Sequence, residues 1–128
     1  MRWRVLVVGL VVVACGGPDR ESFIRQANTA CRDRAAGQEA LGALPTDELL
    51  DASTTLYEQE LARLKALEPP EEHRAAHARW VRANAEVVDA WRRYAADSGS
   101  EAARERVLER FDRAAKLARD LGLTQCDG

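Results

Sequence analysis

Apolar residues recur every three or four positions in four separate stretches of the chain, which is the spacing of one face of an α-helix. The first stretch follows Asp19, whose carboxylate can accept hydrogen bonds from the free N–H groups of a first helical turn. It continues to Leu41 or Leu44, where Pro45 ends it. The pattern therefore predicts a first helix over this segment. Its apolar face comprises Phe23, Ile24, Ala27, Cys31 and Ala35.

Two further helices are predicted between Thr46 and Ser98-Gly99-Ser100. Thr46 can cap the second helix, which ends at Pro69-Pro70, and Pro70 suits the first turn of the third. Acidic residues follow both starts, where they favour the positive end of the helix dipole. The apolar positions are Leu50, Tyr57, Leu61, Leu64 and Leu67 in the second helix and Trp80, Val81, Val87, Val88, Trp91 and Tyr94 in the third.

The fourth helix is predicted to begin after Ser100 and to end at Gly122, with Gly122 in the left-handed conformation and Leu123 packed beyond it. Its apolar face comprises Ala103, Val107, Leu108, Phe111, Ala115, Ala118 and Leu121. Four amphipathic helices with short connections bury their faces together by packing antiparallel. We therefore expect an all-α, up-down four-helix bundle over residues 20–128.

A short basic and apolar leader precedes this domain. Arg2 and Arg4 are followed by about ten apolar residues, a pattern typical of a signal peptide over residues 1–14. The run is only about half as long as a helix that spans a roughly 30 Å hydrocarbon core. Residues 15–19 would then form a tether of roughly 15 Å at about 3.3 Å per residue.

The end of the leader, Val12-Val13-Ala14-Cys15, resembles the lipobox of bacterial lipoproteins. The resemblance implies diacylation of Cys15, cleavage before it, and anchoring at the extracytoplasmic face of the cell membrane, since two acyl chains hold a protein stably. The alternatives are an ordinary secretory signal with a coincidental cysteine, or a buried N-terminal strand.

Charge excludes one class of partner. The chain has 19 basic and 21 acidic residues, and loss of Arg2 and Arg4 with the leader leaves 17 against 21, a net charge of −4. A protein of this charge is not expected to bind nucleic acid.

The two other cysteines, Cys31 and Cys126, favour a disulfide. An exported protein lies in a compartment that permits disulfides, and the end of the fourth helix of an up-down bundle lies beside the start of the first. We therefore expect a bond between the first helix and the C-terminal tail. Two unpaired thiols are the alternative.

The mature chain resembles a broad group of small helical lipoproteins from high-GC Gram-positive bacteria. The resemblance rests on Asn28-Thr-Ala-Cys31 and on the terminal Gly122-Leu-Thr-Gln-Cys126. It implies an envelope protein without an established activity.

His73 and His77 stand four residues apart, as a pair of zinc or copper ligands on one helix would. A third ligand is not evident, and the pair can equally top the apolar face of the third helix. We therefore expect no metal and no other cofactor, with the pair as the only metal candidates.

Asn28 and Asn84 fall on apolar helix faces, where buried amides need hydrogen-bond partners. Such a pair can fix the packing register or line a small polar pocket. Trp80, Trp91 and Tyr94 form a stripe that is either core or one wall of a ligand groove.

No nucleophile elbow, phosphate loop, haem-attachment or zincin motif occurs in the sequence, so we do not expect an enzyme. Two functions fit the sequence. The first is a membrane-anchored, non-catalytic module that contacts another envelope protein. The second is an envelope carrier of a small molecule or metal, which would need a cavity among Asn28, Asn84, His77 and the tryptophans.

Overall fold

The computed structural model describes residues 19–127, which form four α-helices in an up-down arrangement. The expected signal peptide over residues 1–14 and the lipidation site Cys15 lie outside the described residues. The helices are α1 (Arg20–Ala40), α2 (Thr46–Ala66), α3 (Arg74–Ala96) and α4 (Glu101–Asp120). The predicted all-α bundle is confirmed.

Two of the predicted N-caps are present. The Asp19 carboxylate accepts hydrogen bonds from the Glu21 and Ser22 N–H groups, and the Ser100 hydroxyl accepts one from the Ala103 N–H at 3.1 Å. A cap of this kind stabilises a helix by about 1 kcal/mol because it satisfies a donor that has no partner within the helix.

The start of α2 differs from the prediction. Thr46 is already the first helical residue, and Pro45 occupies the cap position in an extended conformation without a side-chain cap. The Pro45 carbonyl accepts a hydrogen bond from the Leu49 N–H at 2.8 Å. Proline has no N–H and its φ is fixed, so it can stand just before a helix at little cost.

The start of α3 also differs. Pro70 does not lie in the first turn of an α-helix but precedes a single 3-10 turn over Glu71–His73, which the His73 N–H closes onto the Pro70 carbonyl. The α-helix begins only at Arg74. Tight 3-10 turns are common at helix N-termini.

The core has two clusters, one at the end of the bundle that holds the disulfide and one near the middle of α2 and α3. One surrounds Trp80 and Leu64, joins all four helices and includes Leu123 beyond α4. The other surrounds Val87 and Tyr57. Trp80 and Leu64 are almost completely buried, and truncation of such a leucine to alanine costs about 2 to 5 kcal/mol.

The helices pack in sequence order, with α1 against α2, α2 against α3, and α3 most closely against α4. No Cα atom of α1 lies within 8 Å of one in α4. The flank between these helices is therefore more open than the apolar pattern suggests. Ala35 of α1 and Leu108 of α4, both expected on apolar faces, are exposed, and Leu108 retains 53% of its accessible surface.

Within residues 19–127, none of the helices combines the length and the apolarity that a membrane-spanning segment requires.

Candidate functional site

The C-terminal tail, residues 121–127 after α4, is the element that joins the two ends of the described chain. Cys31 and Cys126 form a disulfide with their Cα atoms 5.2 Å apart, as the sequence predicts. Cys31 is buried on α1, and Cys126 is partly buried. The bond does not require α1 and α4 to pack directly, because the tail bridges the space between them.

The end of α4 directs the tail toward α1. Gly122 has a φ of 79°, a left-handed conformation that costs glycine little. The Gly122 N–H bonds to the Arg119 carbonyl and the Leu123 N–H to the Ala118 carbonyl, both at 2.9 Å, which is the Schellman pattern. The reversal buries Leu123 completely in the core cluster of Trp80 and Leu64 and places Cys126 beside Cys31.

Asn28 holds the tail a short distance from the disulfide. Its side-chain oxygen accepts a hydrogen bond from the Gln125 N–H at 3.1 Å. Asn84 has a different environment, since it is buried in α3 and donates to the Trp80 carbonyl of its own helix at 2.9 Å. The two amides thus have separate partners and share no hydrogen bond among the described residues.

His73 and His77 both pack around Phe23 of α1. The His73 ring stacks on Phe23 with centroids 6.5 Å apart, and the His77 ring meets it edge-on at 5.5 Å. His77 is buried, and its Nε2 donates to the Leu64 carbonyl at 2.9 Å. His73 Nε2 accepts from the Arg20 guanidinium at 3.2 Å.

The same contacts limit what this histidine pair can bind. A metal at either Nε2 would have to displace the Arg20 or the Leu64 partner. Over residues 19–127, no group of three or more His, Cys, Asp or Glu side chains is arranged to hold a metal ion. The geometry therefore gives the histidine pair a packing role at the end of the bundle where α1 begins.

The aromatic stripe of α3 lies partly in the core, since Trp80 is buried whereas Trp91 and Tyr94 are only partly buried. Trp80 is 1% exposed and belongs to the cluster that includes the disulfide. Trp91 stacks on Tyr57 of α2 with centroids 5.4 Å apart, and Tyr57 meets Phe111 of α4 edge-on. The rings thus fill space between three helices.

A buried ion pair between α1 and α2 was not predicted. The Arg34 guanidinium donates to the Glu60 carboxylate at 3.0 Å, and both side chains are more than nine-tenths buried. Arg34 also lies over the ring of Tyr57, 4.8 Å from its centroid. Nearby, Gln38 donates to the Ser53 hydroxyl at 2.7 Å. The contact between α1 and α2 is thus polar in its interior.

This environment changes the pKa values of two side chains, Glu60 and Tyr57. Burial raises the pKa of Glu60 above its ordinary value, and the Arg34 guanidinium opposes the shift. Burial also raises the pKa of Tyr57. A surface depression of about 100 Å³ lies beside the ion pair, with Asp33 and Arg63 paired at 2.8 Å on its rim.

A sequence signal for this pair exists. Glu60 lies three residues after Tyr57 and four before Leu64, so it falls on the apolar stripe of α2. Arg34 lies seven residues after Ala27 on the apolar face of α1. Charged residues of opposite sign on two facing stripes indicate a buried pair.

The fold that these residues define is a disulfide-closed, all-α, up-down bundle. Comparison with protein-family models, with curated proteins and with solved structures finds no match to this chain.

Proposed function

We propose that this protein is a membrane-anchored lipoprotein of the cell envelope whose helical domain is a non-catalytic interaction module. The observation that carries the proposal is the Cys31–Cys126 disulfide in a domain that follows a leader with a lipobox-like end before Cys15. Disulfides persist in compartments outside the cytoplasm, where lipoproteins are displayed. With two cysteines joined to each other, Cys15 is the one cysteine left for acylation.

An interaction module fits the candidate residues better than the alternative, an envelope carrier of a small molecule or metal. A carrier needs polar groups that are free to meet a ligand in a cavity. Asn28, His73, His77 and Asn84 each have a hydrogen-bond partner within the protein. The tryptophans of α3 are packed against core residues.

Metabolic labelling tests the anchor. Cells that express the full chain are given a palmitate analogue, and the membrane fraction is probed for label. The wild-type protein should be labelled and should begin at Cys15, whereas Cys15→Ala should carry no label and remain uncleaved by the lipoprotein peptidase. Unlabelled wild-type protein would contradict the anchor.

Site-specific crosslinking tests the interaction module. A photo-crosslinking residue is placed at Leu108, the most exposed of the large apolar residues in the described domain, and at Lys116 as a control. Intact cells are irradiated. We expect a discrete adduct with one envelope protein from position 108 and none from position 116. Equal adducts from both positions, or none from either, would contradict an interaction at this flank.

A further inference from the structure

The outer seam between α3 and α4 is strongly basic, although the domain as a whole is acidic. Two adjoining concavities of about 390 and 230 Å³ lie along it and share Glu86. Their arginines come from both helices: Arg79, Arg82, Arg93, Arg106, Arg110 and Arg113. We name these six residues the arginine seam.

The charge of the seam is unbalanced. Six guanidinium groups face the carboxylates of Glu86 and Asp89 alone among the lining residues, an excess of four positive charges in a domain of net charge −4. Glu86 pairs with Arg110 and Arg113, and Asp89 with Arg93. Within the described domain, three arginines of the seam make no ion pair: Arg79, Arg82 and Arg106.

The shape of the seam follows from small residues at its floor. Ala83 and Ala90 of α3 are buried there, so the two helices approach closely and the long arginine side chains stand at the rims. A guanidinium group is planar and donates paired hydrogen bonds that match the oxygens of a phosphate. Concavities of this size and charge suit phosphodiester groups.

The seam lacks what a protein partner would need. Protein interfaces are centred on exposed aromatic or aliphatic side chains, and the apolar residues that line the seam are only two alanines and the partly buried Leu117. Leu108 lies two residues from Arg106, a rotation of about 200° on a helix, and so faces away from the seam.

The position of the seam also fits a lipid surface. Phe23 near the start of α1 contacts His73 and His77 at the start of α3, so the N-terminal end of the domain and the Arg79 end of the seam lie at the same end of the bundle. A tether that joins Asp19 to a lipidated Cys15 would bring that end of the seam toward the bilayer.

We propose that the arginine seam docks on the headgroups of anionic phospholipids and so orients the domain on the membrane. This inference rests on the proposed membrane anchoring and adds to it a second, electrostatic contact. Such contacts strengthen with the anionic lipid content of the bilayer and weaken with salt.

Energy transfer from tryptophan to a dansyl-labelled lipid headgroup tests the docking. Trp80 and Trp91 are both in α3, and the third tryptophan, Trp3, lies in the leader that cleavage before Cys15 removes. The full chain, processed in a bacterial host, is reconstituted in vesicles of phosphatidylcholine alone or with about one third phosphatidylglycerol. We expect transfer to rise roughly twofold in the anionic vesicles and to fall back in about 0.5 M NaCl.

Two matched triple variants test whether the rise in energy transfer depends on the arginine seam. The seam variant carries Arg79→Gln, Arg82→Gln and Arg106→Gln, which breaks no ion pair among the described residues. The control variant carries Arg25→Gln, Arg32→Gln and Arg119→Gln, equal in charge and likewise outside the ion pairs. Thermal melts verify that both fold. The seam variant should lose the increase, and the control variant should keep it.

The remaining outcomes separate this inference from the anchor. Equal transfer in both kinds of vesicle or an equal loss in both variants would overturn the docking. Abolition by inorganic phosphate at an ionic strength where NaCl leaves the transfer unchanged would also overturn it, because that result indicates a site for the free ion. Failure of the protein to float with phosphatidylcholine vesicles would overturn the anchor alone. In that case the docking would be supported if the protein floats with anionic vesicles and the seam variant does not. It would be overturned if the protein floats with neither kind of vesicle.

Discussion

Loss of the Cys31–Cys126 bond should lower the thermal midpoint of the domain by roughly 20 °C. The bond joins residues 95 positions apart, and a loop of about 100 residues is expected to contribute about 4.7 kcal/mol by the chain-entropy model. Unfolding of about 110 residues has an entropy of about 0.23 kcal/mol per kelvin at the midpoint, and division of the first value by the second gives the shift.

Circular dichroism melts of the oxidised protein, of the reduced protein and of Cys126→Ser provide the assay. The last two should agree, and reductant should have no further effect on Cys126→Ser. Helix content in the cold should be unchanged, because the bond acts largely on the unfolded chain and α1 still packs against α2. A shift below about 5 °C, or loss of helix in the cold, would refute this reasoning.

Three other measurements test individual features. Arg34→Met should cost about 3 to 5 kcal/mol near neutral pH, since it leaves the buried Glu60 carboxylate unpaired. Because burial raises the Glu60 pKa, Glu60 becomes protonated in the folded variant as the pH falls, and the cost of the unpaired carboxylate is relieved. Urea titrations should therefore show a smaller loss in the free energy of unfolding in acid. An equal loss at all pH values would show that the unpaired carboxylate is not its cause. Gly122→Ala should cost about 1 to 2 kcal/mol in the same titrations, because its φ of 79° strains any residue with a Cβ, and an unchanged midpoint would argue against the Schellman ending. Calorimetry should find no zinc site of about micromolar affinity. One tightly bound zinc ion per chain that is lost on His73→Ala or His77→Ala would contradict the packing role given to this histidine pair.

The helices were predictable because their signals are local. Asp19 and Ser100 each precede an apolar helical pattern, and their side chains cap the helix that follows. Gly122 ends α4 because glycine readily adopts a left-handed backbone conformation, which requires no tertiary contact. The errors at Thr46 and Pro70 lie at helix starts beside proline, where a cap and a first helical turn compete for the same residues.

The polar interior was harder to predict because it depends on two helices at once. Arg34 and Glu60 each look like an isolated charge on an apolar stripe until α1 and α2 are placed side by side. Leu108 was assigned to the core because a closed ring of four helices was assumed, and the distance between α1 and α4 leaves that flank accessible.

The way in which the tail closes the bundle determines how the domain would respond to mechanical load. A pulling force applied at Asp19 enters the first turns of α1, which are held by side-chain contacts such as those of Phe23 with His73 and His77 and can peel away one turn at a time. Peeling can proceed no further than Cys31, where the load passes through a covalent bond into Cys126 and the end of α4. The remaining length of α1 and its buried ion pair are thereby shielded from tension at the N-terminal end.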